Sequence, residues 1–225
     1  MIIVTGGSRG LGYAICQRLI SKNIEVICLA RNVENIKFTN YKCDVSNYEE
    51  LKSVYYKIKS HNKKITGLIN VAGIASMNLA ITTPKKITEK IINTNLLGTI
   101  FSCQIFAPLL IRNGSGSIIN FSTIAVNLAL KGESIYIASK AGVEGFSRSF
   151  AREMSDFNIN VNCIAPGPIN TDLIKGFNEN QIKKIVDSQI LPKQFNKEDI
   201  CDLVEIIMDQ KSRSISGQIF NVGGF

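Results

Sequence analysis

Tyr136 and Lys140 stand four residues apart, so on a helix they share one face. An ammonium beside a phenol lowers the phenol's pKa and lets it exchange a proton near neutral pH. The spacing alone does not assign that chemistry, because Tyr48/Lys52 and Tyr55/Lys59 share it. Context separates the three pairs. Only Tyr136/Lys140 follows a strand-like run, Ser117 to Thr123, that closes on the hydroxyls of Ser122 and Thr123. A second chemical element lies at the start of the chain. The apolar run Ile2-Ile3-Val4 leads into Thr5-Gly6-Gly7-Ser8-Arg9-Gly10-Leu11-Gly12. Amphipathic residues then begin a helix, with Leu11, Ala14, Ile15, Leu19 and Ile20 on one side. Strand, glycine turn and helix start form a phosphate cradle. Glycine lets the backbone come close, and free N–H groups at the helix start face the negative charge. The spacing is Thr-Gly-x-x-x-Gly-x-Gly, not the common Gly-x-Gly-x-x-Gly.

The elements that position these residues alternate between strand and helix along the whole chain. Apolar runs predict strands at 24–30, 41–45, 67–73, 117–123, 159–165 and 217–222, in addition to the first. Helical patterns fall at 47–60, 85–112, 134–157, 171–192 and 196–210. The alternation predicts an α/β fold: a doubly wound, seven-stranded parallel sheet of Rossmann type, forming one domain over 1–225. In such a sheet the carboxyl ends of the strands carry the ligand site. The second strand ends at Ala30-Arg31, with no acid before Glu34. An arginine there accommodates a 2′-phosphate, and Arg9 reaches the same region, so NADP(H) is expected over NAD(H). Asp44 ends the third strand, where it either accepts from an adenine amino group or caps the following helix. Asn95 interrupts an apolar run and needs a partner.

Bulk properties exclude other classes. The 225 residues are 45% hydrophobic, enough for one full core. The six cysteines form no Cys-x-x-Cys pair and read as buried, reduced thiols of a cytoplasmic protein. A glycine turn starting at Thr5 leaves no room for a signal peptide, and no apolar run of membrane-spanning length is expected. The single histidine, His61, reads as a solvated loop residue, so neither a His-based triad nor a metal site is expected. The net charge of +8 is spread over lysines interleaved with acids, without the aromatic-laced basic stripe of a nucleic-acid binder.

Taken together, the motifs resemble the short-chain dehydrogenases/reductases over essentially the whole chain. The resemblance rests on Thr5 to Gly12, Asp44-Val45, Asn70-Val-Ala-Gly73, Asn95, the hydroxyl-ended strand, Tyr136-x-x-x-Lys140 and Pro166-Gly-Pro-Ile-Asn-Thr171. It implies that Tyr136 is the general acid and that Lys140 lowers its pKa and binds the nicotinamide ribose. It also implies that Asn95 holds a relay water, and that Thr123, where the family usually has serine, orients the substrate carbonyl. Strand alternation favours Thr123 over Ser122 for that role. The cofactor would touch Gly6, Ser8, Arg9, Gly10, Leu11, Gly12, Arg31, Asp44, Val45, Asn70, Ala72, Gly73, Tyr136, Lys140, Pro166, Gly167, Ile169 and Thr171. Residues 172–192, with Leu173, Ile174, Lys175, Phe177, Ile182, Lys183, Lys184, Ile185 and Val186, would form a substrate lid. The compact form after Pro166 is similar to the 3-oxoacyl-[acyl-carrier-protein] reductases of fatty acid biosynthesis. However, Gly114 and Phe157 stand where carrier-dependent members often have arginine. The expected activity is NADPH-dependent reduction of a 3-oxoacyl thioester or related ketone, the substrate being small or carrier-bound. The alternatives are a sugar, polyol or secondary-metabolite alcohol dehydrogenase, or a non-catalytic dinucleotide-binding subunit. The resemblance also implies a homo-oligomer, a tetramer or dimer, in which Ala141, Gly142 and Gly145 permit close approach. No membrane or nucleic-acid partner is expected.

Overall fold

The computed structural model describes residues 1–171 and 179–225. Seven strands form one parallel sheet: β1 (Ile2–Thr5), β2 (Val26–Ala30), β3 (Asn40–Lys42), β4 (Gly67–Asn70), β5 (Gly116–Phe121), β6 (Ile159–Pro166) and β7 (Ile219–Val222). Their spatial order is β3-β2-β1-β4-β5-β6-β7, so the direction of winding reverses between β1 and β4. At that reversal Thr5 pairs with Leu29 on one side and Asn70 on the other. A crevice opens where strand order reverses, beyond the carboxyl ends. β3 is shorter than the predicted 41–45, because Asp44 leaves the ladder to accept from the Ser46 N–H (3.0 Å) and hydroxyl (2.7 Å).

Helices cover both faces: α1 (Gly10–Ser21), α2 (Tyr48–Ser60), α3 (Lys85–Ile92), α4 (Gly98–Ile111), α5 (Ala125–Leu128), α6 (Ser134–Ser155), α7 (Glu179–Asp187) and α8 (Lys197–Met208). Alternation along β1 shows the sorting. Ile3 joins Leu51, Val54, Phe106, Leu110 and Phe150 beneath α2, α4 and α6. Its neighbours Ile2 and Val4 point the other way, to Ile15, Leu19, Ile200, Val204 and Ile207 of α1 and α8. Each fully buried Ile or Leu contributes about 1.5–3 kcal/mol, so the two apolar layers hold the sheet edge rigid beneath the crevice.

α3 and α4 are joined through a π-helical stretch, Asn93–Leu97, into one helical run. Lys85–Ile111, 27 residues, is long and apolar enough to cross a membrane, contrary to the expectation that no run reaches that length. Here it packs against α2, α6 and the sheet. Asp44 does not cap α2; the Asn47 side chain does, accepting from the Glu49 and Glu50 N–H groups. All six cysteines are free and buried, and His61 is exposed, its Nε2 3.4 Å from the Tyr41 hydroxyl.

Candidate active site

The glycine turn after β1 is shaped by close backbone approach. Gly6 and Gly10 have φ of +71° and +56°, the left-handed region where a side chain is strained. A Cβ on Gly6 would lie 2.8 Å from the Ala72 Cα, and one on Gly12 would collide with the Gly6 carbonyl. The turn delivers α1 with an open N-terminus: Arg9 makes no side-chain cap, and no acid occupies the first turn. The leading N–H groups therefore point at the crevice without intrahelical partners. The Thr5 hydroxyl accepts from the Ala72 N–H at 3.3 Å and ties the end of β4 to this turn.

A cavity of about 680 Å³ runs along the carboxyl ends of the strands. This falls within the range of cofactor and substrate sites. Its walls bring together Gly6, Ser8, Arg9, Gly10, Leu11, Gly12, Arg31, Asp44, Val45, Ala72, Gly73, Thr123, Tyr136, Lys140, Pro166, Gly167, Ile169 and Thr171. Two residues singled out in the sequence stand behind the wall. The Asn70 amide donates to Asn120 Oδ1 (2.9 Å) and Cys103 Sγ (3.4 Å), because alternation at the end of β4 turns it under the sheet. Asn95 is fully buried in the π-helical stretch. Its Oδ1 accepts from the Ile74 N–H (2.8 Å), while its Nδ2 donates to the Ile74 carbonyl (2.9 Å) and Ser139 Oγ (3.0 Å). Every polar atom of that amide is thus engaged in holding the Gly73–Ile74 backbone to α6.

Tyr136 and Lys140 lie one turn apart on α6, both buried. The Thr123 side chain lies close enough to the phenol to favour its ionised form. Ser122 faces the other way, its hydroxyl donating to Glu144 Oε1 at 2.7 Å, so strand alternation separates the two hydroxyls as expected. The electrostatics correct one expectation. Burial pushes the Tyr136 phenol well above its usual range, the Glu133 carboxylate pushes it further, and only Thr123 opposes them. Lys140 does not offset this: its Nζ donates to the Phe121 carbonyl at 2.7 Å, and burial lowers its own pKa to about 8. A Cβ on Gly73 would sit 3.4 Å from Asn95 Oδ1 and 3.5 Å from Lys140 Nζ, so glycine keeps that space clear.

Comparison with known proteins meets this geometry. The family model for the short chain dehydrogenase matches residues 1–182. The chain belongs to the short-chain dehydrogenase family. Human 3-oxoacyl-[acyl-carrier-protein] reductase is 33% identical over 190 residues, 80% of each chain. Carbonyl reductase family member 4 of Xenopus laevis is 33% identical over 229 residues, covering 98% of this chain and 95% of that protein. The structure of 4-hydroxyisoleucine dehydrogenase complexed with NADH superimposes with a TM-score of 0.91 at 26% identity, covering 99% of this chain and 97% of that one. The protein is thus a short-chain dehydrogenase with a nicotinamide dinucleotide cofactor. The glycine cradle and open helix start of this chain fit the dinucleotide's pyrophosphate.

Of the expected lid, Leu173, Ile174, Lys175 and Phe177 lie outside the described residues. Ile182 and Ile185 of α7 do line the cavity. Sequence reasoning missed Ile74, Leu130 and Glu133, which share the wall with Tyr136. For Glu133 a signal existed: an acid three residues before the tyrosine, at the start of the same helix.

Proposed function

We propose that this short-chain dehydrogenase is an NADPH-dependent reductase of a 3-oxoacyl thioester or related ketone, with Tyr136 as general acid. The observation that carries the reading is the convergence of Thr123, Tyr136 and Lys140 on the cavity that also holds the glycine cradle. The phenol carries its proton at neutral pH, the form a general acid needs, and its upward shift makes it a weaker acid than a free tyrosine. When bound, a reduced nicotinamide would supply the hydride to the carbonyl carbon, and Tyr136 Oη would give the proton to its oxygen, leaving a secondary alcohol. Thr123 orients that oxygen beside the phenol. Lys140 holds the cofactor ribose, and Asn95 positions the Gly73–Ile74 floor. Arg31, exposed at the end of β2, pairs with a 2′-phosphate, although Glu34 shares that wall. α7 covers the substrate through Ile182 and Ile185. The working form is a cytoplasmic homo-oligomer, a tetramer or dimer. Free thiols suit a reducing compartment, and α6 has open space at Gly145, whereas Gly142 is spent on Leu96 within the chain, where a Cβ would approach to 2.9 Å.

Fluorescence titration with NADPH and NADH, followed by absorbance loss with ketones and acetoacetyl thioesters, tests the reading. NADPH binding at least about tenfold tighter, with turnover, is the expected result. Binding without turnover across the panel would make the protein a non-catalytic dinucleotide binder.

A further inference from the structure

Glu133 is an acid that the fold buries without giving it a partner. Its residue surface is 4% exposed, and it lines the cavity that holds Tyr136. It occupies the N-cap position of α6, yet its side chain accepts no hydrogen bond from the helix. Among the described residues no side chain or backbone group donates to its carboxylate. Its backbone is held firmly. The Glu133 N–H donates to the Leu130 carbonyl (3.3 Å), and the Gly132 carbonyl accepts from the Asn78 N–H (2.8 Å). Gly132 has φ of +88° and packs so that a Cβ would meet Met77 at 3.3 Å. A rigid connector therefore presents to the cleft a carboxyl that no described residue bonds. Burial of the residue raises that carboxyl's pKa. Open to the cleft, the carboxyl is placed to accept from a donor on a bound molecule in exchange for water.

We propose that Glu133 selects the substrate by accepting a hydrogen bond from a hydroxyl or ammonium group carried next to the reacting carbonyl. Glu133 and Tyr136 line one cavity, and the carboxylate is close enough to act on the phenol. A carbonyl oxygen held at Tyr136 thus brings its adjacent carbon towards Glu133. Leu130, Ile182 and Ile185 give the same cavity apolar walls, which offer such a donor no alternative acceptor from their side chains. The inference rests on the carbonyl-reductase reading and narrows it. A plain 3-oxoacyl thioester has no donor on the carbons flanking the ketone, whereas an α-hydroxy or α-amino ketone does.

Three probes of equal heavy-atom count test this: butanone, hydroxyacetone and aminoacetone, which place a methyl, hydroxyl or ammonium at the same position. The expected kcat/KM with NADPH is about ten- to a hundredfold higher for hydroxyacetone and aminoacetone than for butanone. Glu133→Leu brings the three together, and butanone turnover rises. Glu133→Gln keeps the hydroxyacetone preference and loses that for aminoacetone. The Leu variant should also melt no lower than wild type, an outcome that a helix-capping role would reverse. Ligand-detected NMR of the same probes on the protein without cofactor supplies an independent readout. If no probe turns over but Glu133→Leu abolishes the NMR preference, the reductase reading falls and the selectivity of Glu133 stands. A preference that survives Glu133→Leu, or a wild-type preference for butanone, overturns the proposal.

Discussion

Helices α2 and α6 both place a tyrosine four residues ahead of a lysine, and α2 does so twice. The surroundings differ. On α2, Tyr48 is 41% exposed and meets Phe101 edge-on at 5.3 Å, while Lys59 Nζ lies over the Tyr55 ring at 5.6 Å. These are contacts of an amphipathic helix whose polar side faces water. On α6 both partners are buried, the phenol lies beside Thr123, and the lysine head donates one hydrogen bond to the Phe121 carbonyl. α6 starts beside the carboxyl ends of β5 and β6, whereas α2 packs on α4, away from the crevice. Spacing supplies the pair, and the place in the sheet decides whether it can do chemistry.

The comparison is broken most directly at the phenol. Tyr136→Phe is expected to lower kcat/KM by about a thousandfold, the worth of a positioned general acid; steady-state kinetics with saturating NADPH reads it. Next come the two hydroxyls of β5's end. Thr123→Val should cost most of the activity, about a hundredfold, and Thr123→Ser should restore it. Ser122→Ala should instead cost about 1–3 kcal/mol of stability, because the buried Glu144 carboxylate loses a donor. Urea denaturation separates the two residues, and a dead Ser122→Ala enzyme beside an active Thr123→Val would exchange their roles.

A subtler contrast lies in pH. Lys140 titrates near 8 in the folded chain against an ordinary 10.5. Between those values the unfolded chain binds the extra proton, so stability rises with pH over that window. Lys140→Met should remove that rise in melts from pH 7.5 to 10.5. The smallest effect belongs to α2. Lys52→Met and Lys59→Met should leave turnover within about twofold and stability within about 0.5 kcal/mol.

The sheet was legible because its strands are continuous apolar runs, and the turn was legible because glycines at fixed spacing have few other uses. For Thr123 the family resemblance pointed to the hydroxyl-ended strand, and alternation separated it from Ser122, which the structure turns to Glu144. What escaped was direction and environment. Asn70 and Asn95 carry the right side chains, but strand alternation and a π-helical stretch turn both away from the cleft wall. The phenol's upward shift depends on burial and on Glu133, neither of which a four-residue spacing reveals. Asp44 ended the predicted third strand as an adenine contact or a helix cap; the structure brings it to the cavity wall and gives the cap to Asn47.

The space that a methyl group on residue 12 would need is already filled by the carbonyl of residue 6. At that point the loop is moulded main chain against main chain. The opposite wall is instead made of side chains such as Leu130, Glu133 and Ile185. Such a scaffold can alter its substrate through side chains while backbone keeps the nucleotide's seat in place.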